Sequence, residues 1–290
     1  MAHSEYLVGS SPDDTVIEIK NADIIKADVS DNLYDVIINL ITNGISKLFI
    51  FDKNLPVGIV TDKDIIRFLY NERSGKRFDE ITVDQIMNSI CYVIDSLTCR
   101  QAAQTMLINK ISSLGIGSRQ HLLGIVTKTD LLQYYVNRMH DTSKVLDYMT
   151  ISYYSADVES KLHEIIKKMI TCDVSRVVIT ENQTPVGIIT NGDIFRITMS
   201  INKLSIVQSS LTTYSEENRL WSESGFVGSK QAGEVMSEGI ISIRSNQNMM
   251  EAAKLMLEKK IDSLGVSNSS GELVGIINKT NVLYALANAK

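Results

Sequence analysis

The heptapeptide GIVTDKD, residues 58–64, decides the fold because it is not alone. GIVTKTD follows at 124–130, GIITNGD at 187–193 and GIINKTN at 275–281. The leading glycines lie 66, 63 and 88 residues apart. Self-similarity at such intervals marks a chain built from repeated supersecondary units. Three copies carry Thr at the fourth place and Asp at the seventh, whereas the last has Asn278 and Asn281.

Each heptapeptide has a similar preamble. In the fourth copy, IISIRSNQNMMEAAKLMLEKKIDSLGV reads as strand, turn, amphipathic helix, strand. The same order fits the stretches ending at Ile50, Ile116 and Ile179. Leu162, Ile165, Ile166, Met169 and Ile170 recur at helical spacing in the third copy, as Ala102, Ala103, Met106 and Leu107 do in the second. A turn, a second apolar strand and another helix complete each unit. The class is therefore α+β, with the order β-α-β-β-α in every repeat. A unit of roughly 50–60 residues with one covered sheet face is too small to bury a core by itself.

Copies one and three share Pro-Val-Gly before the motif and a basic residue, Lys47 or Arg176, entering the middle strand. Copies two and four share Ser-Leu-Gly in that strand and Lys-Thr inside the motif. This alternation predicts two tandem pairs, 1+2 and 3+4, each forming one module. The expected divisions are an N-terminal arm at 1–19, repeats at 20–72, 83–138, 145–200 and 232–290, and an insertion at 201–231 that holds the only tryptophan, Trp221.

Composition narrows the function. A net charge of −5 over 290 residues disfavours general nucleic-acid binding, which needs a basic surface to displace counterions. No apolar run is long enough to span a membrane, and the start MAHSEYLVGSSPDD lacks the features of a signal peptide, so a cytoplasmic location is expected. Cys91, Cys99 and Cys172 show no C-x-x-C spacing, and the four histidines share no ligand spacing. GFVGSK (225–230) lacks the spacing of a phosphate loop, NERSGKR (71–77) reads as a solvated linker, and no nucleophile signature appears. No metal, no required cofactor and no enzymatic activity are expected.

The heptapeptide itself admits two readings. Thr61 at the N-cap and Asp64 at N3 can form a capping box, a purely structural device. The same geometry suits a ribonucleotide: free amides and the helix dipole favour phosphate, the hydroxyl adds a donor, and the carboxylate can accept from ribose hydroxyls. Seen once, capping is the better reading. Asn278 still caps its helix, but Asn281 has no charge for ribose, so ribose binding is expected in at most three copies. That difference predicts an asymmetric second module with Asp193 anchoring its better cleft.

Four such units, each ending in G-h-h-T-x-x-D before a helix, resemble CBS domains. The resemblance runs from about residue 20 to 287. It implies two pseudo-symmetric Bateman modules, with clefts that take AMP, ADP, ATP or S-adenosylmethionine. It places phosphate and ribose contacts on Thr61 and Asp64, Thr127 and Asp130, and Thr190 and Asp193. Lys63 and Thr129 fall beside phosphate or ribose, Lys47 and Arg176 at phosphate-binding strand ends, and Ile24, Ile90 and Tyr153 near the base. The function implied is a non-catalytic, energy-sensing adenine-nucleotide regulator, assembled as a disc from four repeats or from a homodimer, acting on an unidentified protein. The alternatives are an oligomerisation scaffold with vestigial clefts, or a regulator that binds S-adenosylmethionine or nucleic acid.

Overall fold

The structure, a computed structural model, describes residues 14–22, 24–71, 76–198 and 227–289. Most of the 201–231 insertion, with Trp221, lies outside the described residues. Each repeat forms a small mixed sheet. Lys26–Asp28 runs parallel to Lys47–Asp52, which pairs antiparallel with Leu55–Thr61, and the other three repeats copy this order.

Local chemistry explains the elements. In the helix Leu33–Asn43, Leu33, Val36, Ile37 and Leu40 form a buried stripe at i, i+3, i+4 and i+7. Asn32 caps its start by accepting from the Asp35 amide at 2.9 Å, and Gly44 closes its end at φ 62°. In repeats 1 and 3 the sheet hairpins turn on Lys53-Asn54 and Asn182-Gln183, all with positive φ, as two-residue turns matched to strand twist require. The glycine of Ser-Leu-Gly has a packing reason. A Cβ on Gly115 would sit 3.0 Å from Ile90, and one on Gly265 would sit 2.7 Å from Ile240. Repeats 1 and 3 place Phe49 and Val178 at the corresponding positions.

The segment before each repeat attaches to the sheet of its partner. Asn21 bridges Ile125, Asn88 bridges Ile59 and Thr150 bridges Ile276, while Ser237–Glu238 forms a short antiparallel strand against Thr184–Thr190. Repeats 1 and 2, and repeats 3 and 4, are therefore paired by exchanged backbone hydrogen bonds. The two pairs then meet through their helices. Cys99–Ile108 and Lys128–Arg138 of repeat 2 pack on Met249–Lys259 and Lys279–Asn288 of repeat 4, and their apolar side chains merge into one core. Repeats 1 and 3 keep separate cores joined by one buried side chain each way, Ile66 into repeat 3 and Phe195 into repeat 1, with the half-buried Leu69 and Tyr70 of repeat 1 also packed on the repeat 3 core. Helical faces that could have sought a second copy are thus covered within one chain.

Candidate functional site

All four heptapeptides fold as strand-to-helix junctions with a capping box. Thr61 N and Oγ1 both donate to Asp64 Oδ2, at 2.9 and 2.6 Å. Asp130 Oδ2 receives Thr127 and Asp193 Oδ2 receives Thr190 in the same way. In the fourth copy Asn278 N donates to Asn281 Oδ1 at 2.8 Å, so capping survives the loss of both Thr and Asp. Asn281 also has a reason to be an amide. Its Nδ2 donates to the Tyr148 carbonyl at 2.8 Å, where a carboxylate would meet another acceptor.

The second oxygen of each acid separates the copies. Among the described residues, no hydrogen bond engages Oδ1 of Asp64 or Asp130, so each can accept from a ligand. Asp193 is buried, and its Oδ1 already receives Arg196 Nη2 at 2.5 Å and Ser237 Oγ at 3.0 Å. The expectation that Asp193 anchors the better cleft thus meets a carboxylate with both oxygens engaged.

The junctions of the four repeats face a common centre. Lys47 Nζ crosses from repeat 1 to donate to Ser112 O and Oγ of repeat 2, at 3.1 and 2.9 Å. Lys128 Nζ donates to Thr280 Oγ1 at 2.8 Å, and Lys279 Nζ donates to Thr129 Oγ1 at 2.9 Å, a reciprocal pair between repeats 2 and 4. Lys279 also pairs with Asp262 at 2.6 Å. Lys63 pairs with Asp173 at 2.6 Å. Arg176 donates to Ser175 Oγ, yet its Nη1 is buried with no hydrogen-bond partner among the described residues. The Asp262 side chain is 69% exposed whereas Arg176 Nη1 is buried, so solvent reaches the rim of a region on which charges from every repeat act. Five cations, Lys47, Lys63, Lys128, Arg176 and Lys279, outnumber the four acids Asp62, Asp64, Asp173 and Asp262 there.

Burial is the first influence on proton affinity here, and for the lysines the neighbouring cations add to it. Burial, with Lys128 and Lys279 nearby, lowers Lys47 to about 8; burial, with Lys63 and Arg176 nearby, lowers Lys128 to about 8. Burial raises Asp62 to about 6. The native lysines hold fewer protons than the unfolded chain from about pH 8 up to the ordinary value of 10.5, so their charges cost stability below 8 and that cost fades as pH rises through this window. A bound anion has the opposite preference and favours protonated lysine. Titration with inorganic pyrophosphate at pH 8, in two buffers of different ionisation enthalpy, is expected to show proton uptake, with affinity falling as pH rises further. Buffer-independent heats would show that these lysines do not face the anion.

The structure brings together Lys47, Lys63, Thr129 and Arg176 of the expected residues around this centre, and sets Thr61, Asp64, Thr127, Asp130, Thr190 and Asp193 at the edges of the first three junctions. Ile24 lines a separate groove of about 310 Å³ with Phe51, Pro56, Arg119 and His121. Ile90 lies over Gly115, and Tyr153 reaches the Leu273 carbonyl of repeat 4 at 3.5 Å, on the side of the copy without an acid. Lys128, Lys279, Asp262 and Ser237 were not expected. The repeated Lys-Thr pair was the available signal for the first two. Ile240, the fourth counterpart of Ile24, Ile90 and Tyr153, was also overlooked. Among the described residues no cluster of three or more His, Cys, Asp or Glu could hold a metal, and no helix is long and apolar enough to cross a membrane.

The layout has known counterparts. The model of the CBS domain matches residues 16–71, 83–137, 145–200 and 232–288. The chain belongs to the CBS-domain family. Its four CBS domains pair as two Bateman modules. The CBS domain-containing protein CBSX2 of Arabidopsis thaliana is 29% identical over 143 residues, 47% of this chain and 58% of CBSX2, so the chain spans less than two thirds of that relative. The uncharacterised protein MJ1225 of Methanocaldococcus jannaschii is 20% identical over 247 residues, covering 81% of this chain and 84% of MJ1225. The crystal structure of MJ1225 aligns with a TM-score of 0.80 at 18% identity, over 94% of this chain and 100% of that one. A conserved protein of Pyrococcus horikoshii aligns with a TM-score of 0.61 at 16% identity, over 94% and 99% of the two chains. These structural likenesses establish the fold.

Proposed function

We propose that this chain is a non-catalytic regulator that binds adenine nucleotides between paired CBS domains, with their phosphates directed into the basic centre. The carrying observation is the excess of cations from all four repeats around one centre, with Arg176 Nη1 buried and without a hydrogen-bond partner among the described residues. A phosphate there would receive charge-assisted hydrogen bonds that the protein alone does not make. Asp64 and Asp130 each keep an oxygen for ribose hydroxyls. CBSX2 has been crystallised in complex with AMP, and MJ1225 is described as a candidate archaeal homologue of g-AMPK; both suit this ligand class. The shared centre makes nucleotides with one, two and three phosphates competitors for the same cations, which is the basis for reading the cellular energy state. Binding transmits a signal to a separate regulated protein only in so far as the nucleotide prefers one arrangement of the modules.

Calorimetry with AMP, ADP, ATP and S-adenosylmethionine tests the reading, and no binding by any of them at millimolar concentration would sink it. Asp64→Asn removes a hydrogen bond to a charged group worth roughly 1.5–3 kcal/mol, so affinity at that cleft is expected to fall about 10- to 100-fold. Unchanged affinity at every occupied cleft would refute the ribose assignment.

A further inference from the structure

Repeats 1 and 3 contact each other through equivalent surfaces. Ile66 and Phe195 hold the same place, two residues after Asp64 and Asp193, and each packs into the other repeat's core. The loops after the first helices are equivalent too. Gly44 donates to Ile41 O and Asp173 to Ile170 O, and the next residues, Ile45 and Val174, donate to Leu40 O and Met169 O. Both Gly44 and Asp173 have left-handed backbone, with φ of 62° and 54°.

Only one of the two loops carries an acid. Asp173 accepts from Lys63 at 2.6 Å and from Arg67 at 2.8 Å, both across the repeat 1–3 contact. Arg67 stands three residues after Asp64, and Arg196 stands three residues after Asp193. By the pseudo-symmetry, the acid that Arg196 would reach is replaced by Gly44. Arg196 instead folds back onto Asp193 Oδ1 at 2.5 Å. Asp64 is spared this. It lines an open groove of about 340 Å³ with Arg67, Phe68, Gln85 and Asn88.

We propose that Asp173 is a positioning residue for the cleft of repeat 1: it draws Arg67 away from Asp64 and so keeps that carboxylate free for a ribose or other vicinal diol. Gly44 provides no such counterpart, and Arg196, together with Ser237, occupies Asp193 Oδ1. Two clefts with the same T-x-x-D motif therefore fill in a set order, the first before the third. The claim about filling rests on the nucleotide reading above; the claim about the arginines does not.

The swap Asp173→Gly and Gly44→Asp tests both. Glycine is at home at φ 54°, and a Cβ at Gly44 would meet nothing within 4 Å, with Asp tolerated in the left-handed region, so both variants should fold. Ligand-free crystal structures are expected to show Arg67 bonded to Asp64 in Asp173→Gly, and Arg196 moved from Asp193 to the new acid in Gly44→Asp. Arg67 remaining away from Asp64 would overturn the proposal whether or not any nucleotide binds. In calorimetry with AMP on an Asp193→Asn background, which isolates the first cleft from the third, Asp173→Gly should weaken binding about tenfold. Adding Arg67→Ala should restore it. A loss that Arg67→Ala does not restore would mean that Asp173 acts on the fold and not through Arg67. Absence of AMP binding by the unmodified protein would count against the nucleotide reading alone.

Discussion

Replacing Arg176 with methionine is expected to weaken nucleotide binding about 100-fold while leaving the ligand-free protein at least as stable. The two effects have opposite signs because the guanidinium is poorly satisfied until a ligand arrives. One terminal nitrogen is buried and has no partner among the described residues, a condition that costs about 1–3 kcal/mol. Methionine keeps the apolar stem and removes that cost. Asp262 loses a neighbouring charge but retains Lys279 at 2.6 Å. In the complex, however, a guanidinium donating to phosphate supplies charge-assisted bonds of roughly 1.5–3 kcal/mol, and methionine supplies none. Calorimetry and thermal unfolding of the same samples read both quantities. A stability loss above about 1 kcal/mol in the ligand-free variant would show that Arg176 is a structural residue.

The other large effect is expected at the seam between repeats 2 and 4. Leu283 is fully buried in the single core that those repeats share with Tyr135, Met106 and Met256. Leu283→Ala should therefore cost about 2–5 kcal/mol, the range for a buried leucine whose cavity cannot fully collapse. Because one core serves both repeats, the loss should appear in both Bateman modules at once. Urea unfolding followed by hydrogen exchange is expected to show amides of repeats 2 and 4 losing protection by equal amounts. Loss confined to repeat 4 would mean that the two repeats unfold independently.

Much of this architecture was legible in the chain because it is repeated. The G-h-h-T-x-x-D junctions fixed the units, and the alternation of Pro-Val-Gly with Ser-Leu-Gly grouped them as 1+2 and 3+4, which the exchanged bridges match. The glycines of Ser-Leu-Gly turn out to make room for Ile90 and Ile240. The centre was less legible. Lys128 and Thr280 meet across 152 positions of sequence, and Lys47 and Ser112 across 65, so no local pattern announces them. Asp193 shows the limit most clearly. Its motif is as complete as that of Asp64, and what separates the two lies elsewhere in the chain: Asp173 against Gly44, and Ser237 donating to Asp193 Oδ1. Asn281 shows the converse: its loss of charge is visible in sequence, but its bond to the Tyr148 carbonyl is not.

The exchange of edge segments has a consequence for how the chain is made. The outer edge of the repeat 1 sheet is bridged by Asn88, so that edge stays unpaired until synthesis has passed the start of repeat 2. Repeat 2 has its own edge from Asn21 early, but the faces of its helices are covered by Met249–Lys259 and Lys279–Asn288. Its apolar surface therefore stays open on the ribosome until Lys279–Asn288 has emerged. A nascent chain in this state is exposed to aggregation and is a natural client for chaperones, until Val282, Leu283, Ala285 and Leu286 complete the shared core.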